Sequence, residues 1–383
     1  MIPDCISDMS SSTLFWLANS IAIFALCVIL TSQLIPQILR IAFRKNLFDQ
    51  PDERKIHRGS VPRLGGIAFK PVMFFSLAFM CGMCQLMDCN YMLEEFVSDS
   101  RSLTFGFCCV MILNLVGLVD DLIGIRYKVK FVVQVLCGMM MIAGGLWINN
   151  LHGLFGINEL SAWIGYPLTI FFTVLIINSI NMIDGIDGLA SGLCGATTLI
   201  FGIVFFLLHE YIFATLSFAM LGVLVPFFYF NVFGDVDKHR KIFMGDTGSL
   251  TAGMTICILC MRLLQCSPNT STDIPNILVL AYSPLLVPCL DVARVYLHRV
   301  RNGKNPFLPD KNHIHHKLLA LGIHQRMVLV IIVVFSILLS LLNILISRYI
   351  DVTLLVLIDV LGWTLMNVWL TKQIFKINKQ KQE

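Results

Sequence analysis

Charge is what this 383-residue chain has least of. Asp, Glu, Lys and Arg make up 14% of it, against about 25% in an ordinary soluble domain. Hydrophobic residues reach 57% and mean hydropathy is +0.79. This scarcity excludes the two or three soluble domains that length alone would allow. The unit to count becomes the membrane span of ~20 apolar residues. No basic run interleaved with aromatics occurs and the net charge is only +4, so nucleic acid is not an expected partner. No internal repeat, low-complexity tract or soluble insertion is present. The first apolar stretch is preceded by Asp4 and Asp8 and by no Lys or Arg, so it lacks the basic region of a cleaved signal. Of the 13 cysteines, Cys81 with Cys84 and Cys257 with Cys260 form C-x-x-C pairs. Neither has a second Cys or His pair to complete a zinc site, and they read as small residues of apolar surfaces.

Eleven apolar segments are expected to span a membrane, near 13–39, 66–87, 102–119, 131–148, 163–180, 188–208, 211–231, 247–265, 275–297, 325–347 and 350–371. The last two are joined by a tight turn near Ser347–Ile350. The expected fold is all-α: a polytopic integral membrane protein of about 11 helices, with residues 1–383 as one transmembrane catalytic domain. An odd number of spans puts the termini on opposite sides, and basic residues decide which is which. Arg40, Arg44, Lys45, Arg54, Lys55, Arg58 and Arg63 lie between the first two spans. Arg126, Lys128 and Lys130 follow the third, Lys238, Arg240 and Lys241 the seventh, and Arg299, Arg301, Lys304, Lys311 and Lys317 the ninth. The other side shows only Arg101, Arg262 and Arg348. The N-terminus is therefore expected outside and the C-terminus inside, with cytoplasmic loops near 40–65, 120–130, 181–187, 232–246 and 298–324.

Four polar constellations fall on that cytoplasmic side. Asp120 and Asp121 end the third span. Adjacent carboxylates repel and need a cation or a shifted pKa to coexist, and Lys128 and Lys130 follow closely. Asn181-Met182-Ile183-Asp184-Gly185-Ile186-Asp187-Gly188 joins the fifth and sixth spans. A helical turn would put its two Asp on one side, and its glycines allow close backbone approach to a ligand. Carboxylates, an amide and glycines in so short a connection resemble a ligand or metal site more than a plain Gly/Asp/Asn turn. Gly245-Asp246-Thr247-Gly248-Ser249 opens the eighth span. Asp246 there suits either an N-cap or a divalent cation bridging phosphates. His313, His315 and His316 stand together with Lys311 and Asn312, a set that favours anion contact over zinc. Carboxylates for magnesium beside basic groups for phosphate oxygens are the equipment of phosphoryl transfer. One substrate would be a lipid and the other a soluble cytoplasmic molecule.

Together the motifs resemble the polyprenyl-phosphate N-acetylhexosamine-1-phosphate transferase family over roughly Lys55 to His316. The H-I-H-H ending is similar to the WecA/TagO branch, where the MraY branch carries three consecutive histidines. The resemblance implies UDP-N-acetylglucosamine, or another UDP-N-acetylhexosamine, as donor and undecaprenyl phosphate as acceptor. It also implies UMP as leaving product, Mg²⁺ (or Mn²⁺) as cofactor, and a homodimer in the inner membrane of a bacterium. It makes Asp120, Asp121 and Asp246 catalytic, with Asp120 acting as base on the lipid phosphate. Mg²⁺ would be held by Asp246 and Asp121. Asn181, Asp184, Asp187, His313, His315, His316, Lys130, Lys55 and Arg63 would contact substrates. His57, Pro62, Gly65 and Gly66 resemble the family's first cytoplasmic loop. Where some members have D-D-x-x-D, Gly124 stands in the third acidic position.

Three other classes fit less well. A CDP-alcohol phosphatidyltransferase would continue its aspartate motif with Ala-Arg, where Ser191 and Gly192 stand. A UbiA-type prenyltransferase needs two aspartate-rich motifs. A secondary transporter would place its carboxylates near the bilayer midplane, often with inverted repeats. Elsewhere, Asp291 and Arg294 read as an intrahelical ion pair, although intramembrane charges are often functional. Lys70 reads as snorkelling, and Asn114, Gln134 and Asn178 as interhelical hydrogen-bonders. Asp359 has no evident role in the sequence.

Overall fold

The structure, a computed structural model, describes residues 11–47, 61–267, 275–303 and 312–380. Long apolar segments here are helical because an unpaired backbone N–H or C=O in hydrocarbon costs several kcal/mol. The helices are α1 (Ser11–Arg44), α2 (Phe69–Leu86), α3 (Tyr91–Ser98), α4 (Ser100–Ile123), α5 (Tyr127–Ala143), α6 (Ala162–Ile183) and α7 (Leu189–Leu207). They continue as α8 (Tyr211–Val232), α9 (Gly245–Gln265), α10 (Ile277–Tyr282), α11 (Leu286–Arg301), α12 (Ile314–Ala320), α13 (Gln325–Ile346) and α14 (Val352–Gln380). Among the described residues the one strand-like feature is an isolated antiparallel bridge between Asn150 and Glu159.

Among the described residues, ten spans are long and apolar enough to cross a bilayer, α10 and α11 counting as one. The remaining expected span is α5, with 17 residues. At 1.5 Å per residue that is about 26 Å, near the lower limit for crossing. It ends at Gly144–Gly145, where Gly145 adopts φ +87°, so 146–148 leave the helix. In the other direction α4 continues past the expected end at 119 and takes Asp120 and Asp121 into its last turn. Pro284 lies in the short 3-10 turn between α10 and α11.

The centre of the molecule is α9, the most buried span, packed against α4, α6 and α7. Its small residues explain this. In lipid, helices gain little from apolar burial alone and associate where small side chains let backbones approach. A Cβ on Gly66 would overlap the Gly248 backbone, and one on Gly117 would overlap that of Thr247. Buried amides add polar links of about 0.6 kcal/mol each. Asn114 Nδ2 donates to Thr251 Oγ1 (3.1 Å), and Asn178 Nδ2 to Gln134 Oε1 (2.6 Å). Asp359 also finds its place: it accepts from Tyr282 Oη (2.9 Å) and Asn343 Nδ2 (2.8 Å), tying α14 to α10 and α13. At the end of α9 away from the four motifs, Arg262 pairs with Asp99 (3.0 Å) and Glu210 (2.8 Å). The cysteines of both C-x-x-C pairs are free thiols.

Candidate active site

The N-terminus of α9 organises the site. The first N–H groups of any helix lack internal partners. Here Asp121, from the end of α4, supplies them. Its Oδ1 accepts the Asp246 N–H (2.8 Å), and its Oδ2 accepts the Thr247 N–H (2.8 Å) and hydroxyl (2.6 Å). The cap of α9 is thus Asp121, not Asp246 itself, and its negative charge sits at the positive end of the helix dipole. Gly245 turns the chain into α9 with φ +69°. A Cβ there would overlap the Arg63 carbonyl and crowd the Asp121 carboxylate, so both the angle and the space require glycine.

Asp120 faces a different set of partners. Its Oδ1 accepts the Ile125 N–H (2.5 Å), while Oδ2 pairs with Lys130 Nζ (2.8 Å). The same ammonium bonds Asp246 Oδ2. The repulsion between adjacent carboxylates is relieved by sending one to a helix terminus and the other to a lysine. Asn181, in the last turn of α6, donates through Nδ2 to Asp246 Oδ1 (3.2 Å) and to Ser249 Oγ (2.8 Å). Asp120, Lys130, Asp246 and Asn181 therefore form one network drawn from α4, α5, α9 and α6.

The turn between α6 and α7 splits its two aspartates rather than stacking them on a helical turn. Asp187 pairs with Lys241 (2.5 Å). Asp184 turns towards the acidic network, and no hydrogen bond among the described residues restrains its carboxylate. Burial pushes that carboxyl up to about 7, with Asp246, Asp187 and Asp121 adding in the same direction and Arg63 opposing. Asn231, buried at the end of α8, accepts the Gly188 N–H (2.6 Å) and donates to the Ile242 carbonyl (2.8 Å). It joins the turn to the segment leading into α9. That segment also pairs with the first loop: Phe243 N–H donates to Pro62 O (2.9 Å), and Gly65 and Gly66 N–H donate to Phe243 O and Met244 O (both 3.0 Å).

The histidines meet this assembly at the turn between α6 and α7. His313 Nδ1 lies 2.8 Å from Asp291 Oδ2. Its ring stacks on that of His315 (centroids 5.8 Å apart, 6° between planes), and His316 lies 4.2 Å from His315. His315 is 1% exposed with neither ring nitrogen hydrogen-bonded. Burial holds it down to about 3, helped by His316 and His313, with Asp291 opposing. Its Nε2 packs against Gly185, which joins the fourth motif to the second.

The donor set suits a hard cation. Among the described residues no three His, Cys, Asp or Glu side chains converge as a ready-made cage. Mg²⁺ does not require one, since it takes one or two carboxylates and completes its shell with water and substrate phosphates. Asp184, without a hydrogen-bond donor among the described residues and facing the charges of three carboxylates, is the group a cation would relieve. Asp121 has three of its acceptor positions filled by α9, so its evident contribution is to order that helix.

Of the other expected site residues, Arg63 is exposed next to the site, while Lys55 and His57 lie outside the described residues. Neither Asn231 nor the pairing of Lys241 with Asp187 follows from motif spacing. The available signal for Asn231 was an amide ending the apolar run of α8.

An integral membrane protein with carboxylates, amides, a lysine and histidines converging at one end of its spans defines a class: a helical membrane protein with a polar site where lipid meets water. The pattern described as "Glycosyl transferase family 4" matches residues 103–264. A Yersinia pestis protein named undecaprenyl-phosphate alpha-N-acetylglucosaminyl 1-phosphate transferase is 30% identical over 312 residues, covering 81% of this chain and 79% of its own. Its namesake in Escherichia coli O157:H7 is 29% identical, covering 79% and 77%. A Bacillus subtilis (strain 168) protein named as a probable undecaprenyl-phosphate N-acetylglucosaminyl 1-phosphate transferase is 30% identical, covering 78% and 76%. The chain belongs to glycosyl transferase family 4.

Proposed function

We propose that this protein transfers N-acetylglucosamine 1-phosphate from UDP-N-acetylglucosamine to undecaprenyl phosphate, the first step in building a cell-surface polysaccharide. It would act as a homodimer in the bacterial inner membrane, with the site on the cytoplasmic face, where the basic loops lie. The observation that carries this reading is the single network of Asp120, Lys130, Asp246 and Asn181, drawn from the adjoining ends of four helices. A secondary transporter would instead hold its carboxylates near the midplane.

In the reaction, a phosphate oxygen of the lipid attacks the sugar-bearing phosphorus of the donor. The new P–O bond forms as the bond between the two donor phosphates breaks, and UMP departs with the electron pair. Mg²⁺, held by Asp246 and Asp184, would supply charge neutralisation on the diphosphate. Asp120, in the last turn of α4, would serve as base on the lipid phosphate. Lys130, now shared between Asp120 and Asp246, offers a mobile cation to phosphate oxygens. Asp121 fixes the start of α9 and with it Asp246. His313, His316, Arg63 and Lys55 would contact the phosphates.

The test is transfer of radiolabel from UDP-N-acetylglucosamine, compared with other UDP-sugars, into an organic-soluble lipid. Label in the organic phase only with undecaprenyl phosphate present is the expected result. Uptake of label into sealed vesicles without a lipid product would favour a transporter.

A further inference from the structure

We propose that Asp291 is a positioning residue for the histidine motif: from α11 it fixes which nitrogen of His313 faces the reaction. This rests on reading the site as a sugar-phosphate transferase. Asp291 is fully buried inside a membrane span, a place where a carboxylate is costly and seldom idle. The i,i+3 pairing with Arg294 expected from the sequence is present, at 2.8 Å, but it is one of three contacts. Asp291 Oδ1 also accepts the Ile314 N–H (3.0 Å), and Oδ2 lies 2.8 Å from His313 Nδ1. Arg294 Nη2 in turn donates to the Asn312 carbonyl (2.5 Å). Three consecutive residues, 312 to 314, are therefore held by two side chains one turn apart on α11.

Each contact has a physical reason. Ile314 is the first residue of α12, and its N–H is one of the helix's orphan donors. His313, at the N-cap position, makes no side-chain cap of its own. Asp291 supplies the cap from another helix. With Oδ1 occupied by a guanidinium and a backbone N–H, the carboxylate offers His313 only the lone pairs of Oδ2. A carboxylate accepts and does not donate, so the ring must donate from Nδ1. Its Nε2 is then the nitrogen left for substrate, and the Asp291 bond also sets the ring plane. That plane is passed on, because His315 stacks parallel to His313 and packs on the Gly185 turn.

The experiment uses the full-length protein in lipid nanodiscs and three variants: Asp291→Asn, His313→Ala and the double variant. Asn keeps the size but turns a donor towards His313. Asp291→Asn should lower kcat by ~10–100-fold, the cost of losing the outer partner of a functional histidine, with KM for the nucleotide sugar moving far less. His313→Ala should lose a similar factor, and the double variant should be no worse than His313→Ala alone. If Asp291→Asn costs the same factor again in the His313→Ala background, Asp291 is only a structural ion pair and the proposal fails. Should Asp291→Asn not insert, ¹⁵N-histidine NMR of the wild type, with His313→Asn to identify the signal, reads the pair without turnover. A proton on Nδ1 supports the proposal, and an Nε2–H tautomer overturns it. A wild type that forms no labelled lipid would sink the transferase reading while leaving the NMR result intact.

Discussion

The imidazole of His315 lies directly against Gly185, so that any β-carbon at that glycine would overlap its Nε2. Two segments separated by five helices, the turn after α6 and the start of α12, meet at this contact. The absence of a side chain at 185 is what lets the histidine motif close over the aspartate motif.

Gly185→Ala should therefore displace His315 rather than strain the turn, since Gly185 is not among the glycines with positive φ. Overpacking of this kind costs ~1–3 kcal/mol. The expected outcome is an inserted protein with a somewhat lower Tm and a transfer rate reduced at least tenfold. A Gly185→Ala enzyme of normal rate would show that the histidine motif need not approach the turn.

Asp246→Asn should reduce transfer by at least ~100-fold, the usual cost of losing electrostatic stabilisation at a reacting centre, with the protein still folded. Asp120→Asn should behave differently. A phosphate monoester has a second pKa near ~6, so the lipid phosphate is largely ionised already and a base assists without being indispensable. Raising the pH should restore part of the Asp120→Asn loss and none of the Asp246→Asn loss. Were Asp120 a covalent nucleophile, its variant would be dead at every pH. The wild type would then exchange labelled UMP into the UDP-sugar in lipid-depleted enzyme.

The pH dependence of stability should carry the mark of His315. Its folded-state value is held down to about 3, against 6.5 for the free group. Between those values the unfolded chain binds more protons, so stability rises with pH there. The contribution is fully present above about 6.5 and drains away as pH falls towards 3. Tm should be flat near pH 7–8 and fall on acidification, and His315→Gln should flatten that fall. An identical acid profile in wild type and variant would remove His315 as its source.

Asn231→Ala leaves the Gly188 N–H and the Ile242 carbonyl unpaired in a buried site, at about 1–3 kcal/mol for each group. The variant should lower Tm and weaken transfer together, because the aspartate turn and the approach to α9 lose their shared tie. Asn231→Asp, which restores the acceptor for Gly188 but not the donor for Ile242, should recover only part of the Tm. Unchanged Tm in Asn231→Ala would show that the Lys241–Asp187 pair suffices.

Much of this protein is written locally. A run of ~20 apolar residues must become a helix in lipid because the backbone has no other partner there. The spans were therefore legible from hydropathy, short of the early end of α5 at Gly144–Gly145. The motifs could be placed at span ends, and Asp291 with Arg294 could be paired because three residues on a helix make one turn. What hydropathy and spacing could not supply were partners distant in the chain. Lys130 reaches Asp246 across 116 residues and Asp121 caps a helix 125 residues on. Asn231 joins two loops, and Asp359 is satisfied by a tyrosine and an asparagine from two other helices. A carboxylate looks the same in sequence whether it will cap a helix, pair with a lysine or stand open to a cation. Only the packing of α4, α5, α6 and α9 around small residues, which brings those backbones into contact, decided which of the clustered aspartates does which.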